Sequence, residues 1–194
     1  MSWTMCKRAP LLAAIIRGHL NRQPMDANGM TQRSVLLQAL ASTPADVARL
    51  VRALDESAAA WRPEGGWSCR EVVAHLAHIE PLTLARLRRV LAEVTPTVVA
   101  LLPDPAAHDP DLPIARLAEH FQIARVETLD SLHEISPGDW QRPAIHAAKG
   151  RTTLRGLVDD LVAHDIEHTS QLVTILGQWR AAQRRLAASS ESGQ

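Results

Sequence analysis

The sequence predicts an all-α protein, a four-helix bundle with a long crossover loop between its second and third helices. Three observations predict it: four long stretches repeat apolar residues at helical spacing, no stretch shows a convincing strand alternation, and a Pro-rich segment over 94–112 replaces the shorter loops found elsewhere. At 194 residues the chain is one domain, large enough to bury a core without disulfide or metal staples. A metal ion bound here would therefore serve function more than folding.

Charge and cysteine content narrow the partners. Basic and acidic residues balance at 21 each, so nothing in the overall charge recruits nucleic acid or an anionic membrane, and a small-molecule substrate is expected. Cys6 and Cys69 are too few for a disulfide framework and point to a reducing compartment, with the cytoplasm as the expected location. Lys7 and Arg8 precede a short apolar run that faintly imitates a signal peptide, but Arg17 interrupts it and no cleavage site follows. No run approaches the ~20 apolar residues that span a bilayer.

Residues 1–29 read as a frayed arm outside the bundle, with Met25 and Met30 as alternative starts to Met1. The first helix is expected from Thr31 to near Glu56, on Val35, Leu36, Leu40, Val47, Leu50, Val51 and Leu54, with Pro44 kinking or splitting it. A Gly- and Pro-containing loop ends at Trp67. Ser68 with Glu71 three residues on forms a capping box that starts the second helix, Cys69 to about Glu93, with Pro81 bending it midway. After the crossover, Pro113 opens the third helix, which runs through Ile114, Leu117, Phe121, Ile123, Val126, Leu129 and Leu132 to about Ile135. The sequence SPGDW stops it, and Thr152 or Thr153 caps the fourth helix. The bundle is expected over 30–180, and 181–194 as a polar, disordered tail.

The fourth helix carries the chemistry. With Leu161 at zero on a helical wheel, Leu154, Leu157, Val158, Leu172 and Ile175 lie within roughly 60° of it. His164 at about −60° and His168 at about −20° share that face, one turn apart, and two imidazoles so placed can grip one ion. Asp165, at about +40°, also faces inward and needs a partner, because a buried unpaired carboxylate is costly. On the second helix His75 borders the apolar arc while His78 points further toward solvent. The run HDIEH differs from the zincin HExxH, since Asp165 follows the first histidine and Glu167 precedes the second.

The segment GGWSCREVVAHLAHIE, followed about ninety residues later by GRTTLRGLVDDLVAHDIEHTSQL with a GDW turn between, resembles the DinB-like superfamily of four-helix metalloproteins over roughly 31–179. The resemblance implies an up-down-down-up bundle in which His75, His164 and His168 hold one divalent ion. It further implies thiol-dependent S-transferase or isomerase chemistry with a low-molecular-weight thiol as cosubstrate, and frequent homodimers.

Three neutral imidazoles at ~2.0–2.1 Å leave a position open, as in catalytic zinc sites, with nickel, iron or manganese as other ions for such donors. A thiol bound there loses its proton and becomes a nucleophile, the leading reading. A water so activated would instead hydrolyse an amide or ester. The non-enzymatic alternative is a stress-linked binding or dimerisation bundle. Glu80, about 40° from Leu76, is a candidate base or an acceptor behind the ligands, with pairing to an arginine as the competing reading. Asp165 is read as an orienter of an imidazole or as a structural acceptor. Gln171 matches the family motif, His146 is a lesser candidate from its loop, and Trp67 and Trp140 read as packing anchors. Neither cysteine reads as a nucleophile.

Overall fold

The computed structural model describes residues 28–102 and 111–191. The proposed arm, Cys6, the starts Met1 and Met25, and the centre of the crossover therefore lie outside the described residues. Four long helices form the bundle: α1 (Asn28–Val51), α3 (Cys69–Ala92), α4 (Ile114–His133) and α5 (Leu154–Glu191). A five-residue helix, α2 (Glu56–Ala60), lies between the first two. None of the described helices is long and apolar enough to cross a membrane.

The helix directions follow from which residues share a core. At one end Val47 and Val51 pack with Cys69, Val72 and Leu76, with Leu117 and Phe121, and with Leu172 and Ile175. At the other end Leu36 and Leu40 pack with Leu87 and Val90, with Leu132, and with Leu154, Val158 and Leu161. Residue numbers rise together along α3 and α4 and fall relative to α1 and α5, which is the up-down-down-up order. The parallel pair α3 and α4 is what requires the long crossover.

Local chemistry sets the helix ends. The Ser68 backbone N–H donates to Glu71 Oε2 at 2.8 Å, and the Glu71 N–H donates to Ser68 Oγ at 3.2 Å, completing the capping box of α3. Ser68→Ala is expected to lower the unfolding free energy by about 1 kcal/mol, read from urea titrations. The Thr153 hydroxyl accepts from the Gly156 N–H at 3.1 Å and caps α5. Arg142 donates to the Val90 and Glu93 carbonyls at the C-terminus of α3, and Arg33 does the same for Leu132 and His133 at the end of α4. Both satisfy carbonyls that a helix end leaves without partners.

Five expectations are corrected. The first helix stops at Val51, because Asp55 caps the separate helix α2 by accepting from the Ala58 N–H at 2.7 Å. Pro44 does not split the first helix, which is continuous through it, as α3 is through Pro81. On α4, Ile123 and Val126 are exposed by 62 % and 52 %, and the buried face carries Arg125 and Thr128 instead. Strands are present: β1 (Thr97–Val98) runs parallel to β2 (Pro143–His146), which pairs antiparallel with β3 (Gly150–Thr153). Two- to four-residue strands are too short to show an alternation in sequence. Residues 181–191, expected as a disordered tail, continue α5 in a run rich in the helix formers Ala, Arg and Gln.

Candidate metal centre

The capping box places His75 two turns into α3, and α5 runs antiparallel beside it with His164 and His168 one turn apart. The three rings meet, with centroids 4.4 Å apart for His164 and His168, 4.7 Å for His75 and His168, and 5.1 Å for His75 and His164. One donor atom from each lies within 4.8 Å of the others, and the Nε2 atoms of His75 and His164 are 2.9 Å apart. Nitrogens at ~2.0–2.1 Å from a common ion stand roughly 3.0–3.4 Å from one another, so this pair is already near ligand spacing. His75 and His168 are each only 9 % exposed.

Surrounding groups tune these rings. Gln171 Oε1 can only accept, so its 2.8 Å contact with His168 Nδ1 places the proton there and leaves His168 Nε2 bare for an ion. Trp67 stacks on His168 at 5.9 Å and 12° and meets His75 edge-on at 5.3 Å, forming one wall of the site. The Trp67 packing reading stands, with histidines as what it packs on. Burial is the main cause holding all three imidazoles neutral. It lowers His75 to about 4, helped by the nearby His168 and His78, and it lowers His164 and His168 as well. A neutral ring keeps the lone pair a metal needs, so donor type, spacing and protonation all fit a divalent transition ion.

The same shifts make the metal-free protein acid-sensitive. A depressed folded pKa means that the unfolded chain takes up the proton first, so His75 adds stability above ~6.5 that is lost as pH falls toward about 4. Unfolding free energies from urea titrations in EDTA are expected to drop between about pH 6.5 and about pH 4, by up to ~1.4 kcal/mol per pH unit for each such histidine. In His75→Ala the drop should be smaller.

Glu80 and Asp165 do not hydrogen-bond the histidines. Both bind Arg125: Nε and one terminal nitrogen donate to the Glu80 oxygens at 2.7 Å each, and the two terminal nitrogens donate to Asp165 at 2.6 and 3.0 Å. All three side chains are at most 3 % exposed. Burial pushes the Asp165 pKa up against the pull of Arg125; on Arg125 burial is outweighed by hydrogen bonds and charge from Asp165 and Glu80, so its pKa rises. Asp165 therefore does not orient an imidazole here, and Glu80 takes up the arginine pairing. Arg125 is the residue that reading by apolar pattern missed. With Ile114 at zero on the wheel of α4, Arg125 falls at about +20°, central to the buried arc, whereas Ile123 falls at about 180°.

His146 does not join the triad. It is 5 % exposed on β2, and its Nδ1 accepts from the Ala148 and Lys149 N–H groups at 3.2 Å each, which fixes the hairpin turn. Burial pushes the Cys69 thiol up to about 11, which removes it as a thiolate at neutral pH. Trp140 is a buried packing anchor under Arg33. A groove of about 220 Å³ between α1 and α5 has Asp165 among its lining residues but none of the triad.

Comparison with known proteins places this geometry in a family. A protein of Bacillus mycoides (strain KBAB4), named as a candidate metal-dependent hydrolase, is 23 % identical over 146 residues, covering 72 % of this chain and 82 % of that protein. YfiT from Bacillus subtilis, described as a probable metal-dependent hydrolase with an unusual four-helix bundle topology, superposes with a TM-score of 0.68 at 20 % identity. It covers 81 % of this chain and 91 % of its own. TT2238, described as a four-helix bundle protein, superposes with a TM-score of 0.55 at 20 % identity, covering 73 % of this chain and 98 % of its own. The sequence profile of the DinB superfamily matches residues 39–172, which include the whole histidine triad and Arg125, and the chain belongs to that superfamily.

Proposed function

We propose that the protein is a divalent-metal-dependent hydrolase of a small amide or ester, with His75, His164 and His168 as the ligands. The observation that carries the reading is the convergence of three neutral imidazole donors within 4.8 Å. The hydrolase names of the relatives support water as the nucleophile. A bound ion would supply a Lewis acid that acidifies whatever occupies its open position. The chain's own residues present the lone pairs, fix the His168 tautomer through Gln171, and keep one side of the site covered by Trp67.

The thiol-dependent S-transfer expected first from the sequence becomes the second reading. One observation favours it: both carboxylates expected near the site, Glu80 and Asp165, are engaged by Arg125, and a metal-activated thiol needs no carboxylate base. Apo protein reloaded with zinc, nickel, manganese or iron(II) is assayed on aryl esters and anilides, then on electrophilic alkyl halides with and without added thiol. Metal-dependent ester or anilide turnover without thiol supports hydrolysis. Turnover only with thiol overturns it in favour of transfer, and metal-independent turnover excludes both.

A further inference from the structure

The buried ion cluster lies at the waist of the bundle. In α3, Glu80 falls between the core residues Leu76 and Leu87; in α4, Arg125 falls between Phe121 and Leu132; in α5, Asp165 falls between Leu161 and Leu172. Between the two apolar clusters, then, the four helices are joined through a charged centre. Apolar packing is non-directional and tolerates sliding, whereas a bidentate guanidinium–carboxylate pair fixes both distance and angle.

Arg125 has five N–H donors, and all five are used. Four go to Glu80 and Asp165. The fifth goes from a terminal nitrogen to the Leu40 carbonyl of α1 at 3.0 Å. That carbonyl is available because residue 44, whose N–H would normally bond it, is Pro44. The proline that interrupts the hydrogen bonds of α1 thus exposes an acceptor inside the bundle, and Arg125 takes it. One side chain from α4 thereby holds α1, α3 and α5.

The attachment points adjoin the ligands. Glu80 follows His75 by five residues, about 7.5 Å along the helix at ~1.5 Å per residue, and Asp165 directly follows His164. Functional constellations require ligands held within ~0.5 Å, a tolerance met by rigid groups behind them. We propose that Arg125 is the positioning residue of the metal centre: clamping Glu80 and Asp165 against the carbonyl freed by Pro44, it sets the α3–α5 spacing that brings His75 onto His164 and His168. It makes no hydrogen bond to the histidines and acts through the helices. This inference rests on the metal reading above.

Arg125→Lys tests it, because lysine keeps the charge but cannot fork two carboxylates and a carbonyl. Zinc affinity is measured by chelator competition, and ligand geometry by the visible absorption of the cobalt(II)-loaded protein. The expected result is zinc binding weakened about 10- to 100-fold and an altered cobalt band, with helical circular dichroism retained. A second variant, Glu80→Met/Arg125→Met/Asp165→Leu, replaces the cluster by apolar groups, which commonly preserves stability. It is expected to melt in EDTA no lower than wild type yet to bind zinc at least about tenfold more weakly. Leu132→Ala, destabilising but remote in the second apolar cluster, should leave zinc affinity unchanged. A folded Arg125→Lys or triple variant with wild-type zinc affinity and cobalt spectrum overturns the proposal. So does a triple variant that fails to fold, since the cluster would then hold the bundle and not align the ligands. A wild-type protein that takes up no zinc fails the metal reading itself, and is told apart from those outcomes by the wild-type titration alone.

Discussion

His164→Ala is expected to abolish metal-dependent turnover and to weaken metal binding by about 100-fold or more, exceeding the 10- to 100-fold typical of groups behind the ligands. The fold should survive. His164 Nδ1 is buried with no hydrogen-bond partner among the described residues, so in the apo state alanine removes a neutral ring with one polar contact, that of Nε2 with His75, a loss of about 1 kcal/mol. Its Nε2, 2.9 Å from His75 Nε2, is the group whose loss matters. Calorimetric zinc titration beside circular dichroism checks both halves. A variant that keeps wild-type zinc affinity would remove His164 from the ligand set.

Arg125→Met carries the largest expected effect on stability. It leaves Glu80 and Asp165 side by side and out of water without their cation, and breaking a buried ion pair in this way costs about 3–5 kcal/mol. The Leu40 carbonyl loses its partner as well. In urea titrations with EDTA the midpoint should fall steeply, whereas removing all three charges together should not lower it. Near-wild-type stability for Arg125→Met would mean that the carboxylates protonate or find other partners, and that the cluster is not the directional joint described above.

The bundle and the triad were legible because each rests on a strong local pattern. The capping box at Ser68 and Glu71, the i, i+4 spacing of His164 and His168, and the apolar face of α5 all point the same way, and consistency of that kind is what makes a sequence readable. Pro44 was legible as an interruption, but not in consequence: the helix stays continuous through it, and the carbonyl it releases finds Arg125. The demand that Asp165 be satisfied was readable from its inward position; the identity of the partner was not, because it comes from another helix 40 residues away in sequence. Counting apolar residues along α4 favoured Ile123 and Val126, although their wheel angles place them outside and Arg125 inside. The small sheet escaped because a β-branched pair such as Thr97–Val98 carries no period.

Those corrections change the chemistry expected of the site. Glu80 and Asp165 are both hydrogen-bonded to Arg125, and among the described residues Gln171 and Trp67 contact the histidine rings. With Glu80 and Asp165 both engaged by Arg125, the proposed chemistry assigns activation of the nucleophile to a bound ion, whether that nucleophile is water or a thiol.

The central claim, that His75, His164 and His168 hold one catalytic ion, is tested most directly by elemental analysis of protein purified without a polyhistidine tag, with His75→Ala and His168→Ala prepared alongside. The account predicts about one divalent ion per chain in the wild type and its loss in both variants. Wild-type protein without metal even after reconstitution, or variants that retain it, would contradict the claim.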